Sequence, residues 1–265
     1  MKIIIPIKQV PETGDVKMDS ATGTMKRDGV RSIVNPLDLY AIETGLKIKE
    51  STGAHITVIT MGPPKAAEAL KEAVAMGCDD AMLLSDKSFA GSDTCATSYV
   101  LAMAIKKIAD YNLVICGERA TDGDTGQVGP GISAWLNLPV CTYISKIISA
   151  GEKILTAERL VEDGYETLEI KGPCVITVVK EAASPRLPTL SGKIRAKKLT
   201  IPILGPSDIN AHPEHLGLAG SPTKVVKIET PKITRNGELI IPKSPEEMEA
   251  AADKIIKYFH KLDII

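Results

Sequence analysis

A chain of 265 residues, 44% hydrophobic and 25% charged, is long enough for one large α/β domain with an appendage and too apolar to be disordered. Lys plus Arg (32) and Asp plus Glu (33) leave a formal net charge of −1, which excludes the strong basic field of a nucleic-acid binder and gives no general pull toward membranes. No stretch approaches the roughly 20 apolar residues that cross a bilayer. The opening run "MKIIIPIKQVP" is interrupted by Pro6 and reads as a first strand, not as a secretory signal. The five cysteines (Cys78, Cys95, Cys116, Cys141, Cys174) are odd in number and contain no C-x-x-C pair, so they read as buried thiols of a cytoplasmic protein.

In chain order, "KIIIPI" (2–7), "HITVITM" (55–61), "AMLLS" (81–85) and "NLVICG" (112–117) are near-continuous apolar runs. Strands buried on both faces look like this. Between them, residues 36–50, 64–77 and 92–110 carry apolar positions at three-to-four spacing, the last opened by Ser92 or Asp93 as an N-cap, and a fourth helix is expected over 125–136. Alternation of this kind predicts an α/β fold, a parallel, doubly wound, Rossmann-like sheet. Beyond Pro139 four shorter runs, "VCTYISKIISA", "KILTAERLVED", "YETLEIKG" and "CVITVV", are separated by turn residues and predict an antiparallel addition to the sheet. From Ala182 to about Lys243 the chain is Pro-rich and aperiodic, and it ends in "SPEEMEAAADKIIKYFHKL", where Ser244, Pro245 and Glu247 form a capping-box signature for a final helix. The proposed division is therefore an α/β domain over 1–183 and an extended C-terminal arm over 184–265, ending in that helix.

The stretch "GERATDGDTGQVGP" (117–130) carries the chemistry. It follows a predicted strand and opens a predicted helix, so Gly123, Gly126 and Gly129 fall at the carboxyl edge of the sheet, where ligands of doubly wound folds bind. Main-chain N–H groups and the helix dipole favour a phosphate there, and Thr121, Thr125 and Gln127 add donors. Asp122 and Asp124 oppose a bare phosphate unless they bond a ribose, cap the helix or hold the loop's own amides. On these residues alone the stretch is either a nucleotide cradle or a structural Gly-rich turn. The neighbouring strand ends "VNPLD", "TMGPP" and "GSDTCATS" place polar groups on the same edge, and each is equally explained by helix capping.

Other chemistries are poorly served. No G-x-x-x-x-G-K-[ST] is present, and the first strand–helix passage lacks G-x-G-x-x-G. "HPEH" (212–215) offers two histidines without a third ligand, and Asp122 with Asp124 lacks the further carboxylates of a Mg²⁺ site, so no metal is expected. No nucleophile-and-base signature appears, so no residue is nominated as catalytic.

Taken together, "IPIKQVP", "GVRSIVNPLDLYAIETGLKIKE", "VITMGP", "EAVAMGCDDAMLL", "TDGDTGQVGPGISAWLNLP" and the run "RLVEDGYETLEIKGPCVITVVKEAASPRLPTLSGKIRAKK" (159–198) resemble the β subunit of electron transfer flavoprotein, collinearly over nearly the whole chain. The resemblance implies a heterodimer with an α subunit that the arm wraps. It also implies a cofactor site built from Pro6, Asn35, Asp38, Met61, Thr94, Thr97, Thr121, Asp122, Gly123, Asp124, Thr125, Gly126, Gln127, Val128 and Gly129. Respiratory members hold AMP at this site and bifurcating members hold FAD. The loop "TDGDTGQVGP" is similar to the bifurcating, anaerobe type, in which NADH is the electron donor. One electron then goes to ferredoxin or flavodoxin and the other, through the α-subunit FAD, to an acyl-CoA dehydrogenase or reductase. The resemblance further implies a docking loop with Leu190 as the inserted leucine and Arg186 and Lys193 nearby. Neither nucleic acid nor membrane insertion belongs to this reading.

Overall fold

The computed structural model describes residues 1–12, 32–226 and 237–264. Continuous apolar runs become central strands because both of their faces are covered. In chain order the elements are β1 (Lys2–Pro6), β2 (Gln9–Pro11), β3 (Ser32–Val34), α1 (Pro36–Thr52), β4 (His55–Met61), α2 (Ala67–Met76), β5 (Asp80–Leu84), α3 (Thr94–Ile108) and β6 (Leu113–Gly117). They continue with α4 (Val128–Leu136), β7 (Val140–Ala150), β8 (Ile154–Val161), β9 (Gly164–Lys171), β10 (Cys174–Val178), α5 (Leu190–Lys198), β11 (Ile203–Leu204) and α6 (Pro245–Lys261). Nine strands form one sheet in the order β11-β5-β4-β1-β6-β10-β7-β8-β9, and β2 pairs antiparallel with β3 beside it.

Alternate side chains of β1 feed the two sides of the sheet. Ile3 and Ile5 pack with residues of α1 and α2, whereas Ile4 packs with residues of α3 and α4. The α/β expectation is therefore met, with the helices divided between the two faces.

The expected antiparallel addition needs one correction. The antiparallel pairs of the sheet are β7–β8 and β8–β9, so β8 alone runs against the other strands, whereas "CVITVV" folds as β10, inserted between β6 and β7 and parallel to both. All five residues of β10 are buried, as a central strand requires, so its continuous apolar run was the sign of a two-sided environment. The thiol expectation also needs adjustment: four cysteines are buried, but Cys95 is exposed in the first turn of α3.

A compact unit spans Met1–Val226 and so takes in the first part of the Pro-rich segment. There α5 packs on α2 through Gly192, whose missing side chain lets the Ala75 carbonyl approach, β11 extends the sheet beside β5, and Ile209 and Leu216 join the core. A second unit, Lys227–Ile265, contains α6. Ser244 caps α6 by accepting from the Glu247 amide at 3.3 Å, and the Glu247 carboxylate accepts from the Lys243 amide at 2.6 Å. The capping-box reading holds, with the return bond one residue earlier than usual. Residues 13–31, 227–236 and 265, which include parts of the resemblance motif at 29–50 and of the 184–265 arm, lie outside the described residues. Among the described residues no helix is long and apolar enough to cross a membrane.

Candidate functional site

The helix after β1 packs on one face of the sheet and the helix after β5 on the other, so the winding reverses between the adjacent strands β1 and β6. Ligands of doubly wound sheets bind at such a reversal, at the carboxyl ends of the strands. A cavity of about 520 Å³ opens there, within the range of small-molecule sites. Its walls include Pro6, Asp38, Met61, Thr94 and Thr97, and the loop contributes Asp122, Gly123 and the run from Thr125 to Gly129.

The loop from Gly117 to Pro130 is held by atoms distant in sequence. The Asn35 side chain donates to the Arg119 carbonyl at 2.8 Å and accepts from the Thr121 amide at 3.1 Å. Asn35 is completely buried and makes no side-chain cap to α1; its side-chain amide bonds the loop, while its main-chain carbonyl accepts from the Asp38 amide at 2.9 Å. Two tight turns close on the Ala120 carbonyl, which accepts from the Gly123 and Asp124 amides. Asp124 and Gly126 adopt left-handed φ values of 53° and 64°.

The two carboxylates that argued against an anion are both paired. Asp122 meets the Lys8 ammonium at 2.6 Å, and Asp124 meets the Arg119 guanidinium at 3.0 Å. Meanwhile the N-terminus of α4 has no side-chain cap and no acidic residue in its first turn. Main-chain donors at that end are left for a ligand, and the dipole favours a negative one.

Asp38 is the unusual wall residue. It is 6% exposed and accepts from the Lys8 amide at 2.7 Å. Burial pushes its carboxyl up to about 7, against the opposing pull of the Lys8 amide, the Asn35 side chain and the Lys8 charge. On the opposite wall Asp93 caps α3, accepting from the Cys95 and Ala96 amides at 2.9 and 3.0 Å. Its other oxygen accepts from the amide and hydroxyl of Thr223, so the chain near residue 221 supports this wall.

The structure brings most of the expected cofactor residues to one cavity. Asn35, Thr121 and Asp124 are not among its walls and shape the loop instead, Asn35 from the interior and the exposed Thr121 and Asp124 from within the loop. Sequence reasoning missed Lys8, Gly117 and Asp93 as wall residues. Lys8 and Gly117 each directly follow or end a predicted strand, so their position on the binding edge was a usable signal. In the docking segment Leu190 is 78% exposed and Lys193 is also exposed, whereas the Arg186 guanidinium is engaged with Glu43 and Glu50. "HPEH" forms a short 3₁₀ turn in which the His215 ring packs at a tilt against Tyr99 and Trp135, and no metal-binding cluster of three or more ligands exists among the described residues.

The sheet, its reversal point and the glycine-rich helix entrance define a nucleotide-binding α/β protein. The family profile for the electron transfer flavoprotein domain matches residues 22–206. The electron transfer flavoprotein subunit beta of Thermoanaerobacterium thermosaccharolyticum is 44% identical over 256 residues, covering 96% of this chain and 98% of that one. Subunit CarD of the caffeyl-CoA reductase-Etf complex of Acetobacterium woodii is 44% identical over 261 residues, 98% and 99% of the two chains. Protein FixA of Azotobacter vinelandii is 38% identical over 266 residues, 98% and 95% of the two chains. The chain belongs to the electron transfer flavoprotein family, on the side of its β subunits. A β subunit works with an α subunit, and the family as flavoproteins associates with flavin or nucleotide.

One prediction arises from the loop itself. Gly126→Val places a β-branched residue at φ 64°, where even alanine is strained by about 1–2 kcal/mol. The purified heterodimer is expected to lose most of its β-site nucleotide, read by release and chromatography. Full occupancy would show that the loop tolerates an ordinary backbone and does not cradle the ligand.

Proposed function

We propose that this chain is the FAD-binding β subunit of a cytoplasmic, electron-bifurcating electron transfer flavoprotein. The observation that carries the reading is the glycine-rich loop at the β1/β6 reversal, whose two aspartates are neutralised by Lys8 and Arg119 while the helix end stays uncapped. Pairing lowers the opposition of these aspartates to a pyrophosphate, although Arg119 is shared with Glu118 at 3.7 Å. In this reading the amides of residues 125–129, beyond the Gly123 and Asp124 amides that bond the Ala120 carbonyl, and the Thr125 and Gln127 side chains hold the pyrophosphate, and Pro6, Met61, Thr94 and Thr97 enclose the rest. When bound, a flavin would supply the redox chemistry, with NADH as electron donor and ferredoxin or flavodoxin and, through the α-subunit FAD, an acyl-CoA dehydrogenase or reductase as acceptors. The protein's part is to bind, to orient and to exclude water.

The docking residue in this reading is Leu190, a large exposed apolar side chain at the start of α5 with Lys193 beside it. A small apolar anchor supplies affinity and the basic charge guides approach. AMP in the same cavity is the second reading, since its single phosphate needs only part of the same donor set, and it makes the subunit structural.

Counting flavin in the purified heterodimer separates the two. Two FAD per α–β pair, with loss of flavin absorbance on rapid mixing with NADH, is the expected result. One FAD plus AMP establishes the second reading, and two FAD without bleaching removes NADH as donor.

A further inference from the structure

We infer that Arg186 acts in docking as a positioning residue, locking onto the buried Glu43 so that Leu187 and Leu190 are presented to the acceptor protein as a preformed apolar pair. The inference rests on the docking reading above. Leu187 is 85% exposed, Leu190 78% and, one turn further along α5, Ile194 50%. Three large apolar side chains turned to water within eight residues form an edge without an occupant inside this unit.

The chain carrying that edge is fixed at both ends. Arg186 donates from Nε to Glu43 Oε2 at 2.8 Å and from Nη2 to Glu43 Oε1 at 2.8 Å, a bidentate fork, and its main-chain amide donates to the same carboxylate at 3.1 Å. A fourth bond runs from Nη1 to Glu50 Oε1 at 2.6 Å. Glu43 lies on α1 and is 3% exposed, so no partner can reach it. The two carboxylates hold the guanidinium still more firmly protonated than usual.

Three residues beyond Arg186, the Thr189 amide donates to the Ala75 carbonyl at 3.3 Å, and the Thr189 hydroxyl caps α5 by accepting from the Gly192 amide at 3.0 Å. Arg195 then donates to the Val74 and Cys78 carbonyls at the end of α2. Between the two ties stands Pro188, whose ring fixes its own φ. Leu187 and Leu190 are thus held before any encounter, and binding has less backbone freedom left to remove.

The charge that faces the partner comes from the exposed lysines Lys193, Lys197 and Lys198. The surface they complement is an apolar pocket rimmed by carboxylates on the electron-accepting protein. Arg186 is a poor candidate for that role, since its charge and one donor from each of its three guanidinium nitrogens are engaged by Glu43 and Glu50.

The test uses the purified heterodimer and an acyl-CoA dehydrogenase that the unmodified heterodimer reduces with saturation kinetics. Arg186→Lys keeps the charge opposite Glu43 but cannot reproduce the fork, and Glu43→Gln keeps a hydrogen-bonding group at a site no partner touches. Either change is expected to raise KM for the dehydrogenase about tenfold at nearly constant kcat, with the double variant no worse than either single one. Amide hydrogen exchange in residues 187–192 of the heterodimer alone is expected to accelerate in the same variants. A normal KM in Arg186→Lys and Glu43→Gln, with Leu190→Ala still impaired, overturns the clamp and leaves the docking reading standing. An unimpaired Leu190→Ala overturns the docking reading and the clamp with it.

Discussion

Replacing Gly117 by alanine is expected to empty the nucleotide cavity and to lower the thermal midpoint of the heterodimer by several degrees. Gly117 is the last residue of β6, where the first turn of α1 crosses the strand. A Cβ there would overlap the Asp38 Oδ1 atom and lie 2.9 Å from the Leu37 carbonyl carbon and oxygen. Backbone cannot rotate aside as a flexible side chain can, so α1 or the strand end must move, at a cost of about 1–3 kcal/mol. The same movement displaces Asp38 and the loop that begins at Glu118, which is why occupancy falls along with stability. Gly123→Ala is the control, since nothing lies within 4 Å of its added Cβ and its φ is not left-handed. Calorimetry and nucleotide analysis on both variants check the pair. Equal behaviour of the two would refute the claim that Gly117 is needed for close approach.

Asp38→Asn is expected to abolish a pH dependence that the unmodified protein shows between about pH 4 and pH 7. Burial raises the folded carboxyl to about 7, while the unfolded chain titrates near its ordinary value of 3.8. Between these values the folded state retains a proton that the unfolded state has released, so stability falls as pH rises through the window and levels off above 7. A shift of about three units corresponds to about 4 kcal/mol lost at the alkaline end. Asparagine still accepts from the Lys8 amide and carries no charge, so the variant should be the more stable one above pH 7 and nearly equal to the parent near pH 4. An infrared band of a protonated carboxyl that disappears with a midpoint near 7, and is missing from Asp38→Asn, reports the group directly. Parallel stability profiles for the two proteins would refute the assignment. Ionisation in a wall of the cavity also opposes an anionic ligand, so nucleotide affinity should weaken over the same range.

The wall residues show why part of the site escaped the sequence. Gly123, Thr125, Gly126 and Gly129 were legible because strand, loop and helix follow one another along the chain, and their relation to the sheet edge is local. Lys8, Asp93 and the loop-holding role of Asn35 come from contacts 84 to 130 residues apart, such as Lys8 with Asp122 and Asp93 with Thr223. Local pattern reads Asn35 as a helix cap, and only the packed chain shows its side chain spanning to Arg119 and Thr121. Ser92 and Asp93 are both legible as candidate caps because capping is a property of neighbouring residues, and the structure selects Asp93.

By itself the sequence determined the alternation of buried strands and amphipathic helices, the parallel character of the first half, the place of the glycine-rich loop and the family resemblance. These rest on periodicity and on residues adjacent in the chain. Only the tertiary structure decided that "CVITVV" enters the middle of the sheet, that the two loop aspartates are paired by Lys8 and Arg119, and that Arg186 is spent on Glu43 while Leu187 and Leu190 face water. Which charge meets which, and which apolar side chain finds no cover, depends on groups that folding alone brings together.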